Sequence, residues 1–273
     1  MVRSLWSAAT GMIAQQTNID TIANNLANVN STGYKTEVAG FKSLLYQTIQ
    51  TNTTTANGDP KPVGSQVGLG VRESSISSIF KQGSFQASES DTDFAIDGKG
   101  FFAIKSDRDD QTYYTRNGNF YLNTNDSGGL TLCTADGYAV LDSKGKAITF
   151  NKKYAASKLS VSDEGEFMYP DENNNPQPLG IYIGLYQFNN PTGLEKVGSS
   201  YYVQSPASGE VINEAKSSTV EKSKIVQGYL EASNVQVVDE MVNMIVAQRA
   251  YEMNSKAITT TDEMLQQANN LKR

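Results

Sequence analysis

The chain contains no histidine, which removes the commonest general base, haem ligation and most zinc sites together. Its one cysteine, Cys133, cannot form an intrachain disulfide and has no imidazole to activate it. No apolar run approaches the roughly 18 residues of a membrane span, so no membrane insertion is expected. A basic surface is missing too. The 23 Lys and Arg stand against 29 Asp and Glu, a net charge of −6, and phosphate binding needs the opposite balance, so no nucleic acid is expected as a partner. The opening MVRSLWSAATGM breaks its apolar residues with Ser and Thr and shows no small-residue cleavage pattern, so it does not read as a secretory signal.

Catalytic constellations are absent as well. There is no GxxxxGK[ST] loop, and the pairs Gly98-Lys99 and Gly145-Lys146 lack the upstream glycine. Asp171, Asn173 and Asn175 alternate like calcium ligands, but Pro176 stands where that loop needs glycine and no Glu closes it. The acidic group Glu89, Asp91, Asp93 and Asp97 reads as a solvated loop. Cys133 reads as a small buried hydrophobe in a strand. The expectation is therefore no catalytic residue, no cofactor and no metal.

Glycine and proline are scarce at the two ends. All seven prolines lie between Pro60 and Pro206, only Gly11 precedes Gly33, and neither residue type follows Gly228. Those ends carry heptads. Leu5, Met12, Ile19 and Leu26 recur every seven residues, with Ala9, Gln16 and Ala23 four residues after the first three. Val237, Met244, Tyr251, Ile258 and Leu265 keep the same spacing near the C-terminus. Sustained heptads put one stripe on one helix face, to be covered by a matching stripe. Gln16, Asn24 and Asn25 beside the seam would fix its register at some cost in stability.

The first helix is expected from an N-cap at Ser4 to about Asn28, and Asn28, Asn30, Ser31 and Gly33 supply the turn that stops it. Gly11 inside it costs about 1 kcal/mol relative to Ala. It marks either a close helix approach or a tolerated defect. The last helix is expected to open on a capping box of Ser233 and Gln236, with Asp239 and Glu240 in its first turns and Lys272 and Arg273 at its end. About 38 residues would make a rod of roughly 57 Å, too long for a small domain to cover.

Between the helices the patterning changes. Phe41 to Ile49 is a short apolar patch, helix or strand, and residues 51–70 are Thr-, Gly- and Pro-rich, a linker or a loop ordered only by neighbours. From about 71 to 225, short apolar runs alternate with turns. Asp97-Gly98, Asn117-Gly118 and Asp136-Gly137 are hairpin dipeptides, and further strands are expected at 159–162, 181–188 and 201–204. The expected fold class is α+β, with long N- and C-terminal helices pairing as a coiled coil and a central irregular antiparallel β domain. Its parts would be 1–46 (helix and signature motif), 47–70 (extended segment), 71–225 (β domain) and 226–273 (C-terminal helix).

Residues 23–35, ANNLANVNSTGYK, resemble the N-terminal signature of the bacterial flagellar rod and hook proteins. GYLEASNVQVVDEMVNMIVAQRAYEMNSKAI resembles the family's C-terminal motif. SLWSAATGM, LLYQTI, DFAIDGKGFF and YTRNGNFYL extend the likeness through most of the chain, and it most resembles members that build the distal rod. It departs mainly in 51–70 and 205–225. The resemblance implies a structural subunit that polymerises with itself into a helical, tubular drive shaft and transmits torque from motor to hook. Implied partners are neighbouring proximal rod and hook proteins, and outer ring (bushing) proteins where the cell has an outer membrane. It implies type III export without a cleaved signal peptide and a rod crossing the periplasm. The heptad residues, with Asn24 and Asn25, would then form subunit interfaces, and Asn28, Asn30, Gly33 and Tyr34 the signature turn. Alternatives are a proximal rod or hook-type subunit and, from another class, a cell-wall-acting accessory enzyme. The enzyme would need a carboxylate pair that nothing in the sequence singles out.

Overall fold

The computed structural model describes residues 2–50, 64–106, 111–125, 128–151, 154, 158–171, 175–217 and 220–271. Most of the Thr/Gly/Pro-rich segment (51–63), the centre of the calcium-like spacing (172–174), and Lys272 and Arg273 lie outside the described residues. The chain forms two compact units. The first comprises Met1–Ala27, Glu37–Ser78 and Gln236–Arg273, and the second Asn28–Thr36 and Ile79–Val235.

In the first unit, helix α1 spans Val2–Ala27 and helix α2 spans Val237–Asn270. Freedom from proline and near-freedom from glycine lets both run long, and 34 residues give α2 a length of about 51 Å. Helix α1 already includes Val2, so Ser4 is not its cap. The expected capping box is also absent. Gln236 is the N-cap of α2 without a side-chain cap bond, and the Ser233 hydroxyl accepts instead from the Val235 N–H at 3.3 Å.

The expected coiled coil must be corrected. Of the predicted α2 stripe, Val237 (37%), Tyr251 (40%) and Leu265 (37%) are exposed, and only Met244 and Ile258 are half-buried. What α2 buries is Glu240, Ala247 and Thr261, a line three residues further on. On α1 the buried residues are Ala8, Ala14, Thr21, Ile22 and Asn25. These are mainly small and polar side chains, not interlocking Leu and Ile knobs. A Cβ on Gly11 would come within 2.9 Å of the Asn254 amide, so this glycine does mark a close helix approach.

The patch at 41–49 is extended, not helical. Strand β1 (Glu37–Ser43) pairs antiparallel with β4 (Val71–Ser78), and β2 (Tyr46–Gln50) with β3 (Ser65–Gly68). A two-stranded ribbon is marginal alone. This one is tied to α1. The Asn25 amide donates to the Glu37 carbonyl at 2.8 Å and accepts from the Glu37 N–H at 2.9 Å, replacing a backbone pairing.

The second unit is antiparallel β. Its largest sheet has ten strands, and Phe101–Lys105 at its centre is buried on both faces. Because strand side chains alternate, Phe102 and Ile104 enter one core while Phe101 and Ala103 enter another. Tyr113 and Tyr114, Tyr201 and Tyr202, and Leu185 and Tyr186 divide the same way. Of the three expected hairpins, only Asp136-Gly137 joins paired strands, Leu130–Cys133 and Ala139–Val140. The strand before Asp97-Gly98 pairs with Lys224–Gln227 instead, and the strands flanking Asn117-Gly118 pair elsewhere. Cys133 lies buried in its strand as expected, its thiol donating to the Tyr121 carbonyl at 3.4 Å.

Candidate assembly surface and a buried ion cluster

The first unit exposes apolar side chains that a folded chain in water would normally cover. The opening turns of α2 carry a broad apolar face opposite Asp239, Glu240 and Asn243, with Val238, Met241, Val242, Ile245 and Val246 between 52% and 73% exposed. On α1, Trp6 and Ile13 are each 66% exposed. The ribbon adds Leu45 (83%) and Tyr46 (61%). Contiguous exposed apolar patches of this kind mark interaction sites.

The residues predicted from the heptads fall unevenly on this surface. Leu5, Ala9, Met12, Ile19 and Leu26 are half-buried, Gln16, Ala23 and Asn24 exposed, and Asn25 buried. Trp6, Ile13, Val238, Met241, Val242 and Ile245 were missed because they lie off the seven-residue stripes, although the apolar density of VQVVDEMVNMIV already signals the last four.

In the second unit three sequence motifs meet at one buried cluster. ANNLANVNSTGYK, YTRNGNFYL and GYLEASN each carry a single charged residue, respectively Lys35, Arg116 and Glu231. These three are 1%, 3% and 1% exposed. The Lys35 ammonium donates to Glu231 Oε1 at 2.5 Å and to the Lys81 carbonyl at 2.9 Å. Arg116 donates through Nη1 to Glu231 Oε2 at 3.3 Å and through Nη2 to the Gly98 carbonyl at 2.7 Å. Its guanidinium carbon lies 5.1 Å from the centre of the Phe101 ring. The Gly83 N–H donates to Glu231 Oε1 at 2.9 Å. Burial lowers the pKa of Lys35 and of Arg116, with Glu231 opposing it in both.

Asn234 fastens the same neighbourhood. Its Oδ1 accepts from the Thr36 N–H and hydroxyl, each at 2.7 Å, and its Nδ2 donates to the carbonyls of Ile79 (2.8 Å) and Lys81 (3.0 Å). The signature turn feeds into it. Asn28 accepts from Ser31 through both backbone and side chain, and the Tyr34 N–H reaches the Ser31 carbonyl at 3.4 Å. Gly33 has φ +68° and donates to the Glu231 carbonyl, while Asn30 is exposed. Sequence reasoning missed Lys35, Arg116, Glu231 and Asn234 as a group. One charge per motif, two positive and one negative, was the available signal.

Comparison with known proteins decides what this arrangement belongs to. Residues 5–35 match the family model of flagella basal body rod proteins, 95–169 that of the flagellar hook protein FlgE/F/G D1 domain, and 226–271 that of the flagellar basal body rod FlgEFG protein C-terminal region. The flagellar basal-body rod protein FlgG of Borreliella burgdorferi is 45% identical over 276 residues, covering 100% of both chains. The FlgG of Bacillus subtilis is 40% identical, again over 100% of both.

The chain belongs to the flagellar basal-body rod protein family.

This rod protein is accordingly a structural subunit of the flagellar basal body, not an enzyme. Like its family, it self-polymerises and associates with other rod and hook components. The motifs that carry the likeness do separate physical work: α1, the ribbon and α2 present apolar surface, and the signature turn, YTRNG and GYLEASN hold the ion cluster.

Proposed function

We propose that this rod protein builds the distal segment of the shaft, a tubular polymer that transmits torque from the motor to the hook. One observation carries the reading: a broad face of the opening turns of α2 is apolar and exposed, a surface of the kind that marks an interaction site. The half-buried stripe Leu5, Met12, Ile19 and Leu26 and the exposed Val237, Tyr251 and Leu265 then complete subunit contacts. Because the helices and the ribbon offer different surfaces, the contacts are heterologous and propagate without closing. Its end partners are proximal rod and hook subunits, with ring proteins around it where an outer membrane is present, and its site is the rod's passage across the periplasm. The identity of 45% to a FlgG across the whole chain, against 30% to the hook-basal body complex protein FlhP of Bacillus subtilis, supports the distal position.

Electron microscopy of basal bodies from cells lacking this gene tests it. A shaft that stops partway and carries no hook is the expected result. A complete rod and hook would refute the distal assignment.

A further inference from the structure

A groove of about 320 Å³ runs between α1, β1 and α2 in the first unit. Gln15, Asn18 and Thr21 of α1, Glu37 at the start of β1, and Glu240 and Asn243 of α2 supply its polar lining, and no Lys or Arg among the described residues lines it. Glu240 is 9% exposed, and its carboxylate has neither a hydrogen bond nor an ion pair among the described residues. With two carboxylates and no Lys or Arg in its lining, this groove is electronegative and complements a cation.

The same helix offers one. Arg249 is the sole arginine of α2, and its side chain is 74% exposed. Its bond to Glu252, at 2.7 Å, is an exposed pair three residues along the helix, of the kind worth little in water. Around it stand Val242, Ile245, Val246 and Met253, all more than half exposed, so the arginine is collared by apolar surface like the centre of an interface hot spot. At 3.6 residues per turn, the nine residues from Glu240 to Arg249 carry it about 180° round the helix. One helix therefore presents an acidic socket on one side and an arginine on the other.

We propose that Arg249 of one copy seats in the Glu240 groove of the next copy in the polymer. The guanidinium fork suits the carboxylate, and the amides of Gln15, Asn18 and Asn243 supply further acceptors. Since socket and plug are separate places on the chain, each contact leaves one of each free and growth continues. This inference rests on the self-polymerising rod reading.

The test uses Arg249→Lys in the full chain, expressed in flagellated cells in place of the native copy. The charge is kept, and a carbodiimide joins the new amine to any carboxylate in direct contact with it. Basal bodies are treated, and cross-linked peptides are read by mass spectrometry. A 249–240 cross-link joining two copies, absent from the untreated and the wild-type shafts, is expected. Shafts that contain the variant but give no such cross-link overturn the seat while leaving the rod reading standing. Shafts that contain no copy of the chain at all overturn both. In parallel, Arg249→Glu puts a like charge at the socket and should reduce completed shafts by roughly thirtyfold or more. Because the position is exposed, the monomer's helical circular dichroism should stay unchanged. Normal shaft numbers would overturn the proposal.

Discussion

Replacing Glu231 by alanine is the sharpest probe of the second unit. Its two oxygens accept from Lys35, Arg116 and Gly83, at 2.5, 3.3 and 2.9 Å. Glu231→Ala leaves two cations facing each other at 1% and 3% exposure, together with a bare N–H. Lys35 keeps only the Lys81 carbonyl, and Arg116 the Gly98 carbonyl and the Phe101 ring. Removing one partner of a buried ion pair typically costs about 3–5 kcal/mol. That is a large share of a domain's ordinary margin of about 5–15 kcal/mol. With a urea slope of about 2 kcal/mol/M, the unfolding midpoint should fall by about 2 M. Urea titration followed by circular dichroism measures it. A midpoint shift below about 0.5 M would refute the reasoning, because it would mean that water reaches the abandoned charges. Replacing all three charges by methionine separates net stability from the cost of an orphan. The triple variant should unfold within about 1 kcal/mol of wild type, since a well-packed apolar substitute often equals a buried ion cluster.

Gly33→Ala should destabilise by more than about 2 kcal/mol in the same titration. It places a Cβ at φ +68° and 2.6 Å from the Asn117 nitrogen, so a loss under about 0.5 kcal/mol would contradict the packing. Ser200→Gly should stabilise by about 1 kcal/mol, because Ser199 and Ser200 hold φ +49° and +61° between paired strands, where glycine sits without strain. A lowered unfolding midpoint would count against it. Burial pushes the phenols of Tyr114 and Tyr201 up to about 12, helped at Tyr201 by its hydrogen bond to Asp136. An unfolded tyrosine ionises near pH 10, so between about pH 10 and 12 the folded chain keeps protons that the unfolded chain has lost. This contribution is full below about pH 10 and declines through 12. Lys35, lowered by burial, acts in the opposite sense on the alkaline side, so the Tyr114→Phe chain is the control. An alkaline decline of the same steepness in that variant would exclude Tyr114 as a source.

The long helices were legible because proline and glycine avoid them and apolar residues recur with helical spacing. Which face each helix buries was not legible. The heptad rule looks for large apolar knobs, and the helices instead pack through Ala8, Ala14, Ala247 and Thr261, leaving larger side chains outward. An apolar stripe reads the same whether its partner is in the same chain or in another. Turn dipeptides marked bends reliably but hairpins poorly, since the pairing of Phe94–Asp97 with Lys224–Gln227 is set by residues more than a hundred positions away. At 198–200 three positive φ values run in a row, and only the first falls on a glycine, Gly198. The ion cluster was visible only as three isolated charges, because sequence spacing says nothing of distance between motifs.

The chain passes between its two units four times, so α1 and α2 come from opposite ends of the described sequence. Neither helix can find its counterpart until everything between Ala27 and Gln236 has been threaded out or synthesised. Loop closure over such a span is slow, and the pairing it delivers comes late. A chain that stops at Val235 can therefore complete its β unit and still lack the α1–α2 pair. The apolar surface of α2 joins that of α1 and the ribbon only with this last segment, so a copy cut short before Gln236 presents an incomplete assembly surface.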